Sequence, residues 1–160
     1  MHKKPPIGVL SLAVRWCSRA ARDCSGVEAV ELALTAPVLL LILFGIVQFG
    51  LLLNNYLMLT DAVRVGARQF SISRTSTTPW TTATSALTAA APNLTAASIT
   101  INLKVNGAAC TSDSACVTAL ASAAGGSANV GASYPCNLTI MGVNFAPGCT
   151  LSSQITQLIE

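Results

Sequence analysis

An acidic side chain stands at the start of a long apolar segment. Glu31 directly precedes Leu32, from which the chain continues without charge for more than twenty residues. A carboxylate costs about 2.5 to 3.5 kcal/mol at the centre of a membrane and less near its surface, so Glu31 requires a compensating cation. If the peptide bond between Gly26 and Val27 were cut, the new α-amine of Val27 would lie one helical turn before Glu31. The predicted chemistry is therefore proteolysis followed by ion pairing, within one subunit or with a neighbouring subunit.

Two further residues of this junction suit that chemistry. Gly26 fits the position before a scissile bond, because glycine has no Cβ and allows a protease to approach the backbone closely. Glu28 is a second acid, and with Glu31 it is a candidate for subunit assembly. A simpler interpretation stays open, since Glu28 can close a capping box with Ser25 and both acids favour the positive field of a helix N-terminus.

Cysteine supplies the second set of reactive side chains. Four of the six cysteines, Cys110, Cys116, Cys136 and Cys149, lie in the C-terminal part of the chain. This even number predicts two disulfides in an oxidising compartment. Proximity in sequence favours Cys110 with Cys116 and Cys136 with Cys149, although four cysteines permit three pairings. Zinc binding is disfavoured because this part has no C-x2-C pair and no histidine, so no metal is predicted.

The remaining ionisable side chains give little basis for catalysis. The single histidine is His2, and beyond residue 75 the other charged side chains are Lys104, Asp113 and Glu160. A serine nucleophile would have no base, no glycine-rich phosphate loop occurs, and no basic surface is available for nucleic acid. The sequence therefore predicts neither an enzyme nor a nucleic-acid-binding protein, and no cofactor.

The element that positions the junction is a predicted transmembrane helix. Residues 32–53 are twenty-two in number and uncharged, with Thr35 and Gln48 as their strongly polar members. At 1.5 Å per residue they span about 33 Å, enough for a hydrocarbon core of about 30 Å. A signal peptide has a shorter apolar region, about 7 to 15 residues, followed by a small-residue cleavage site. The low share of charged residues, 9%, also favours a membrane protein.

The distribution of charge predicts the orientation of this helix. Five basic residues precede it, while Arg64, Arg68 and Arg74 lie after it, a modest positive-inside bias that favours a cytoplasmic N-terminus. The four late cysteines agree, because disulfides form outside the cytoplasm, whereas Cys17 and Cys24 would stay reduced inside.

The rest of the chain is predicted as an exterior α+β domain. The expected divisions are a basic leader at 1–26, the helix and its extension at 27–70, a Ser/Thr-rich linker at 71–79 and the domain at 80–160. Patterns within the domain predict a helix at 79–91, a half-buried strand at 99–105, a helix at 117–124 and weaker strands at 138–143 and 151–159, the last of which also fits helical spacing. We expect a small sheet beside the helix, with a thin core that disulfides help to hold.

Three charged residues share one face of the predicted helix extension. Asp61, Arg64 and Arg68 are spaced at i, i+3 and i+7. This face is either solvated or a contact surface, for other subunits or for the globular part of the chain.

Gly26 followed by Glu31 before a long apolar helix resembles the type IV prepilin processing site, where a membrane aspartyl peptidase cuts after the glycine. The longer stretch GVEAVELALTAPVLLLILFGIVQFG, with LTDAVRVGAR after it, resembles the TadE-like pseudopilins of the Flp/Tad pilus assembly system over about residues 26 to 70. The residues that carry the resemblance are Ala29, Val30, Glu31, Ala33, Leu34, Pro37, Arg64, Gly66, Ala67 and Arg68. The segment Asp61-Ala62-Val63 departs from the more neutral family pattern and leaves a TadE, TadF or TadG-like subtype open.

The resemblance implies a minor pseudopilin in Tad pilus biogenesis, since the abundant Flp pilins are much shorter chains. Its implied partners are membrane lipid, prepilin peptidase, other pilin or pseudopilin subunits and the Tad assembly platform. Its implied place is the bacterial inner membrane, with the C-terminal domain in the periplasm or outside, or the pilus itself. The alternative is an uncleaved single-pass anchor that carries a surface binding module.

Overall fold

The computed structural model describes residues 26–136, 138–140 and 142–160. The predicted leader therefore lies outside the described residues except for Gly26. The chain divides into two compact units between Gly45 and Ile46, and each is described by itself.

The first element, α1, is a helix of 46 residues, Gly26–Ser71, with Pro37 inside it. Alanine, leucine and other good helix formers fill most of its positions, and Pro37 is tolerated in an apolar helix of this kind. The helix is long and apolar enough to cross a membrane by length and composition, with a mean hydropathy of 2.5 over its most apolar 18-residue window. It passes through the unit boundary without a break in secondary structure.

The C-terminal part of α1 forms one wall of the core of the second unit. Leu59, Val63 and Phe70 are fully buried there, together with Ala62 and Ala67. Their spacing of three to four residues produces one apolar stripe along the helix. This stripe packs into a single cluster of buried side chains that also includes residues of the sheet and of the two shorter helices.

The described residues of the second unit form two more helices and six strands. The helices are α2, Pro79–Ala89, and α3, Asp113–Ala121, and short 3-10 turns occupy Ser73–Thr75 and Ala96–Ser98. The strands are β1 Thr100–Val105, β2 Ala108–Cys110, β3 Ser127–Pro135, β4 Thr139–Ile140, β5 Val143–Asn144 and β6 Thr150–Leu158. An antiparallel sheet has the order β2-β1-β3-β6, and β4 pairs with β5 in a separate hairpin. The predicted α+β class is confirmed.

Strand β3 is one of the two inner strands of the sheet, and the sequence patterns did not indicate it. Ala128, Val130 and Ala132 point inward and are buried, so β3 alternates as a half-buried strand should. Two of these three side chains are alanine, and Gly131 lies between them. Alanine and glycine have low strand propensity, which explains why the pattern was missed.

Two other elements differ from the predictions, and a third is confirmed. Helix α3 begins at Asp113 rather than 117, because the Ser112 hydroxyl caps it by accepting the Ala115 N–H at 3.3 Å. The single strand predicted at 138–143 is wrong, since Gly142, at a φ of +82°, turns the chain between β4 and β5. The strand predicted at 151–159 is confirmed as β6, and its helical alternative is wrong.

The predicted linker, 71–79, contains buried residues. Ser71 and Ser73 are buried, and their hydroxyls donate to the carbonyls of Arg68 and Gln69 in the last turn of α1. These bonds hold the chain against the helix end as it enters the turn at Ser73–Thr75.

Candidate functional site

The predicted processing junction lies in the first turns of α1. Glu28 and Glu31 are both exposed, and the Thr35 hydroxyl donates to the Glu31 carbonyl at 3.0 Å. A Cβ added to Gly26 would meet nothing within 4 Å. Packing within the described residues therefore does not require glycine at this position.

Helical geometry places the backbone nitrogen of Val27 one turn before Glu31. Val27 and Glu31 are four residues apart within α1. Such residues are neighbours on a helix surface, about 6 Å apart along the axis. An α-amine on Val27 would therefore lie about one helical turn from Glu31 of the same chain.

Beyond Glu31 the helix presents apolar side chains in every direction. The large exposed apolar residues between Val30 and Leu53 are Val30, Leu32, Leu34, Val38, Leu39, Leu40, Leu41, Ile42, Leu43, Phe44, Ile46, Val47, Phe49, Leu51 and Leu53. Burying one such side chain fully is favourable by about 1.5 to 3 kcal/mol of free energy relative to leaving it in water. A continuous exposed surface of this kind needs lipid or other helices around it.

The charged face of the helix extension stays exposed. Arg64 Nη1 lies 3.4 Å from Asp61 Oδ1, with the two side chains 67% and 71% exposed. An ion pair this exposed adds little stability. The domain packs instead on the apolar stripe of α1, and Arg64 and Arg68 line a groove of about 770 Å³ beside strand β6.

Both disulfides join elements of the second unit. The Cys110–Cys116 bond links the end of β2 to α3, with a Cα–Cα distance of 5.2 Å, and both residues are buried. The Cys136–Cys149 bond closes the β4–β5 hairpin at its base, with a Cα–Cα distance of 5.3 Å. These are the pairs that proximity in sequence favoured. Within the described part of the chain, no group of three or more His, Cys, Asp or Glu is placed to hold a metal ion.

One carboxylate has a structural role that the sequence patterns did not indicate. Asp113 accepts hydrogen bonds from the Thr81 hydroxyl and from the Thr81 backbone N–H, the latter at 2.9 Å. These bonds lower the pKa of Asp113 below its ordinary value of 3.8, and the bond from the Thr81 hydroxyl has the larger effect. Asp113 thus opens α3 and also caps the first turn of α2, across 32 residues of sequence.

In the described part of the chain, these features amount to one membrane-compatible helix, an acidic helix base and a small disulfide-bonded α+β domain. The family model described as TadE-like protein matches residues 26–68, which confirms the resemblance carried by the junction and the helix. A TadE-like match implies involvement in a Tad/Flp pilus, in which TadE-like proteins are structural, and it suggests contacts with pilus subunits. No curated protein and no solved structure matches the chain.

Proposed function

We propose that the chain is a minor pseudopilin that acts in the biogenesis of a Tad/Flp-type pilus. Prepilin peptidase would cut between Gly26 and Val27, and the mature helix would pack against helices of pilin or other pseudopilin subunits. The observation that carries this proposal is the all-round apolar exposure of α1 directly after the exposed acid Glu31. The TadE-like match over residues 26–68 covers the same stretch and supports it.

Glu31 has a defined role in this proposal. After cleavage the α-amine of Val27 carries a positive charge at the base of an apolar helix, and the Glu31 carboxylate neutralises it in the same or a neighbouring subunit. Burying both charges as a hydrogen-bonded pair is far less costly than burying either alone. The pair would therefore set the depth at which one helix packs against the next, with Glu28 as a secondary contact.

The proposed location is the bacterial inner membrane, with a cytoplasmic N-terminus and the C-terminal domain in the periplasm or outside. The basic residues before the helix support this orientation. The two disulfides of the second unit support it as well, because such bonds persist in oxidising compartments. In this setting membrane lipid, prepilin peptidase, pilus subunits and the Tad assembly platform are the partners.

Intact-mass and N-terminal analysis of protein purified from the native host tests the proposal. The expected mature chain begins at Val27. Gly26→Leu should block processing, whereas Gly50→Leu should not, since Gly50 is another glycine of α1 at which a Cβ would meet nothing within 4 Å. A functional protein that retains Met1 to Gly26 would contradict the proposal and favour an uncleaved, membrane-anchored binding module.

A further inference from the structure

The β4–β5 hairpin carries two large apolar side chains that the domain does not bury. Val143 and Phe145 are 58% and 61% exposed. The Phe145 backbone is held in place, because its N–H donates to the Leu138 carbonyl at 2.9 Å and the Cys136–Cys149 disulfide closes the base of the hairpin. The hairpin thus presents an apolar aromatic side chain on a constrained loop.

The base of this hairpin lies beside the end of the apolar segment of α1. A cavity of about 200 Å³ is bounded by residues of the helix and by residues that flank the hairpin. Its lining residues are Gln48, Leu51, Leu52 and Asn55 of α1, and Tyr134, Pro135, Cys136 and Leu151. The hairpin therefore emerges from the sheet at the level of the last apolar turns of the helix, where residues 32–53 end.

The opposite end of the sheet lies at the far end of α1. Glu160, just after β6, donates its backbone N–H to the Ser71 carbonyl at 3.3 Å. Strand β6 thus extends from the level of Asn55 to the level of Ser71, a helix length of about 24 Å. Of the two ends of the sheet, the one with the hairpin is the one nearer the apolar segment.

The side chains at this level have the chemistry of a membrane interface. The two tyrosines of the chain are Tyr56, which follows the apolar segment, and Tyr134, which lines the shared cavity. Aromatic side chains are enriched at both membrane surfaces, where one end is apolar and the other is hydrated. Residues 137–148 contain no charged side chain, and α1 has no charge between Glu31 and Asp61.

We infer that the β4–β5 hairpin is a second membrane contact, in which Val143 and Phe145 insert into the headgroup region of the lipid bilayer that holds α1. This inference rests on the membrane anchoring in the proposed function. Lipid is favoured over a second protein surface because the hairpin lies level with the end of the apolar segment and offers no charge for pairing. The contact would hold the domain close to the bilayer and fix its rotation about the helix axis.

Fluorine NMR on the full chain in lipid nanodiscs tests this contact with the protein's own phenylalanines. The chain has four, Phe44, Phe49, Phe70 and Phe145, and all can be replaced by fluorophenylalanine. Phe44 and Phe49 lie in the apolar segment, whereas Phe70 is fully buried in the domain. The variants Phe44→Leu, Phe49→Leu and Phe145→Leu assign three resonances, and the fourth belongs to Phe70.

Nitroxides attached to lipid then report depth. A nitroxide deep in the acyl chains should broaden Phe44, a headgroup nitroxide should broaden Phe49 and Phe145, and neither should broaden Phe70. As a matched control, Ile72→Phe adds an exposed aromatic about 27 Å further along the helix direction than Leu53, and its resonance should stay sharp.

Three other outcomes are decisive. A sharp Phe145 resonance beside broadened Phe44 and Phe49 resonances would overturn the hairpin contact and leave the membrane helix standing. If Phe145 were also protected from a water-soluble nitroxide, the hairpin would be covered by protein, which would likewise overturn the inference. Sharp resonances from Phe44 and Phe49 would overturn the membrane anchoring itself.

Discussion

Gly66 of α1 lies directly against Leu87 of α2. A Cβ on Gly66 would stand 3.0 Å from Leu87 Cβ and 3.2 Å from Leu87 Cδ1, with the Ala83 carbonyl oxygen at 3.4 Å. Leu87 is fully buried and cannot move aside freely. Glycine at this position therefore sets how closely the two helices approach, which gives a packing reason for one of the residues that carry the TadE-like resemblance.

The first prediction is that Gly66→Ala destabilises the domain. Alanine favours the helix by about 1 kcal/mol relative to glycine, but an overpacked contact in a dense core costs about 1 to 3 kcal/mol. We expect a net loss of roughly 1 kcal/mol, measured as a lower Tm of the full chain in detergent by near-UV circular dichroism. Gly50→Ala is the control, because a Cβ there meets nothing within 4 Å. An unchanged or higher Tm for Gly66→Ala would show that α1 and α2 accommodate the added methyl group without overpacking.

The second prediction concerns the cap that Asp113 makes on α2. Its pKa is lowered in the folded protein by the Thr81 hydroxyl and then by the Thr81 N–H, so its stabilising effect is fully present above the ordinary value of 3.8 and is lost as pH falls through the lowered value. Asp113→Asn should therefore lower Tm at pH 7, and the difference from the unmodified chain should shrink in acid. Thr81→Val should also lower Tm at pH 7, because it removes the hydroxyl that donates to Asp113.

The control for this cap is Asp61→Asn. Asp61 belongs to an exposed ion pair with Arg64, so its replacement should leave Tm nearly unchanged. Equal effects of the two Asp→Asn substitutions would argue against a specific role for Asp113.

The third prediction compares how much each of the two disulfides contributes to the stability of the domain. The loop-entropy model assigns each about 2 to 3 kcal/mol, slightly more to the longer Cys136–Cys149 loop. Cys110 and Cys116 are both buried, whereas in the other pair Cys136 is buried and Cys149 only half-buried. Serine therefore buries two hydroxyls in the first pair and one in the second, each at a cost of about 1 to 3 kcal/mol. We expect the Cys110→Ser/Cys116→Ser variant to lose more stability than Cys136→Ser/Cys149→Ser in urea unfolding. The reverse order would indicate that loop entropy alone decides.

The predictable parts of this fold are those in which local pattern and tertiary environment agree. Strand β1 was predicted because Ile101, Leu103 and Val105 are large, and their alternation with polar residues is visible without a structure. Strand β3 has the same alternation, but Ala128 and Ala132 carry too little apolar surface to reveal it.

The features that the sequence did not predict depend on contacts between residues far apart in the chain. The bond between Asp113 and Thr81 and the contact between Gly66 and Leu87 each join residues more than twenty positions apart. Nothing in either local sequence specifies its partner. The processing junction stays a prediction, and it could be made from the sequence because Gly26, Val27 and Glu31 lie within one short stretch of chain.

The final prediction concerns Glu31. Glu31→Gln removes the carboxylate but keeps size and hydrogen-bonding capacity, so processing after Gly26 should continue while packing between mature helices weakens. The Val27 α-amine would then be buried without a counter-charge, and breaking a buried pair in this way typically costs about 3 to 5 kcal/mol. That loss should appear as strongly reduced crosslinking to pilus subunits in the native host.

Glu28→Gln is the matched control for Glu31→Gln. It removes the same charge three residues earlier, from an acid in the first turn of α1, and should reduce crosslinking far less. If the two variants assembled equally well, the carboxylates would act only by stabilising the helix N-terminus. There the helix dipole stabilises any nearby acid by about 0.3 to 1 kcal/mol. The proposed pairing with Val27 would then be wrong even if the mature chain begins at that residue.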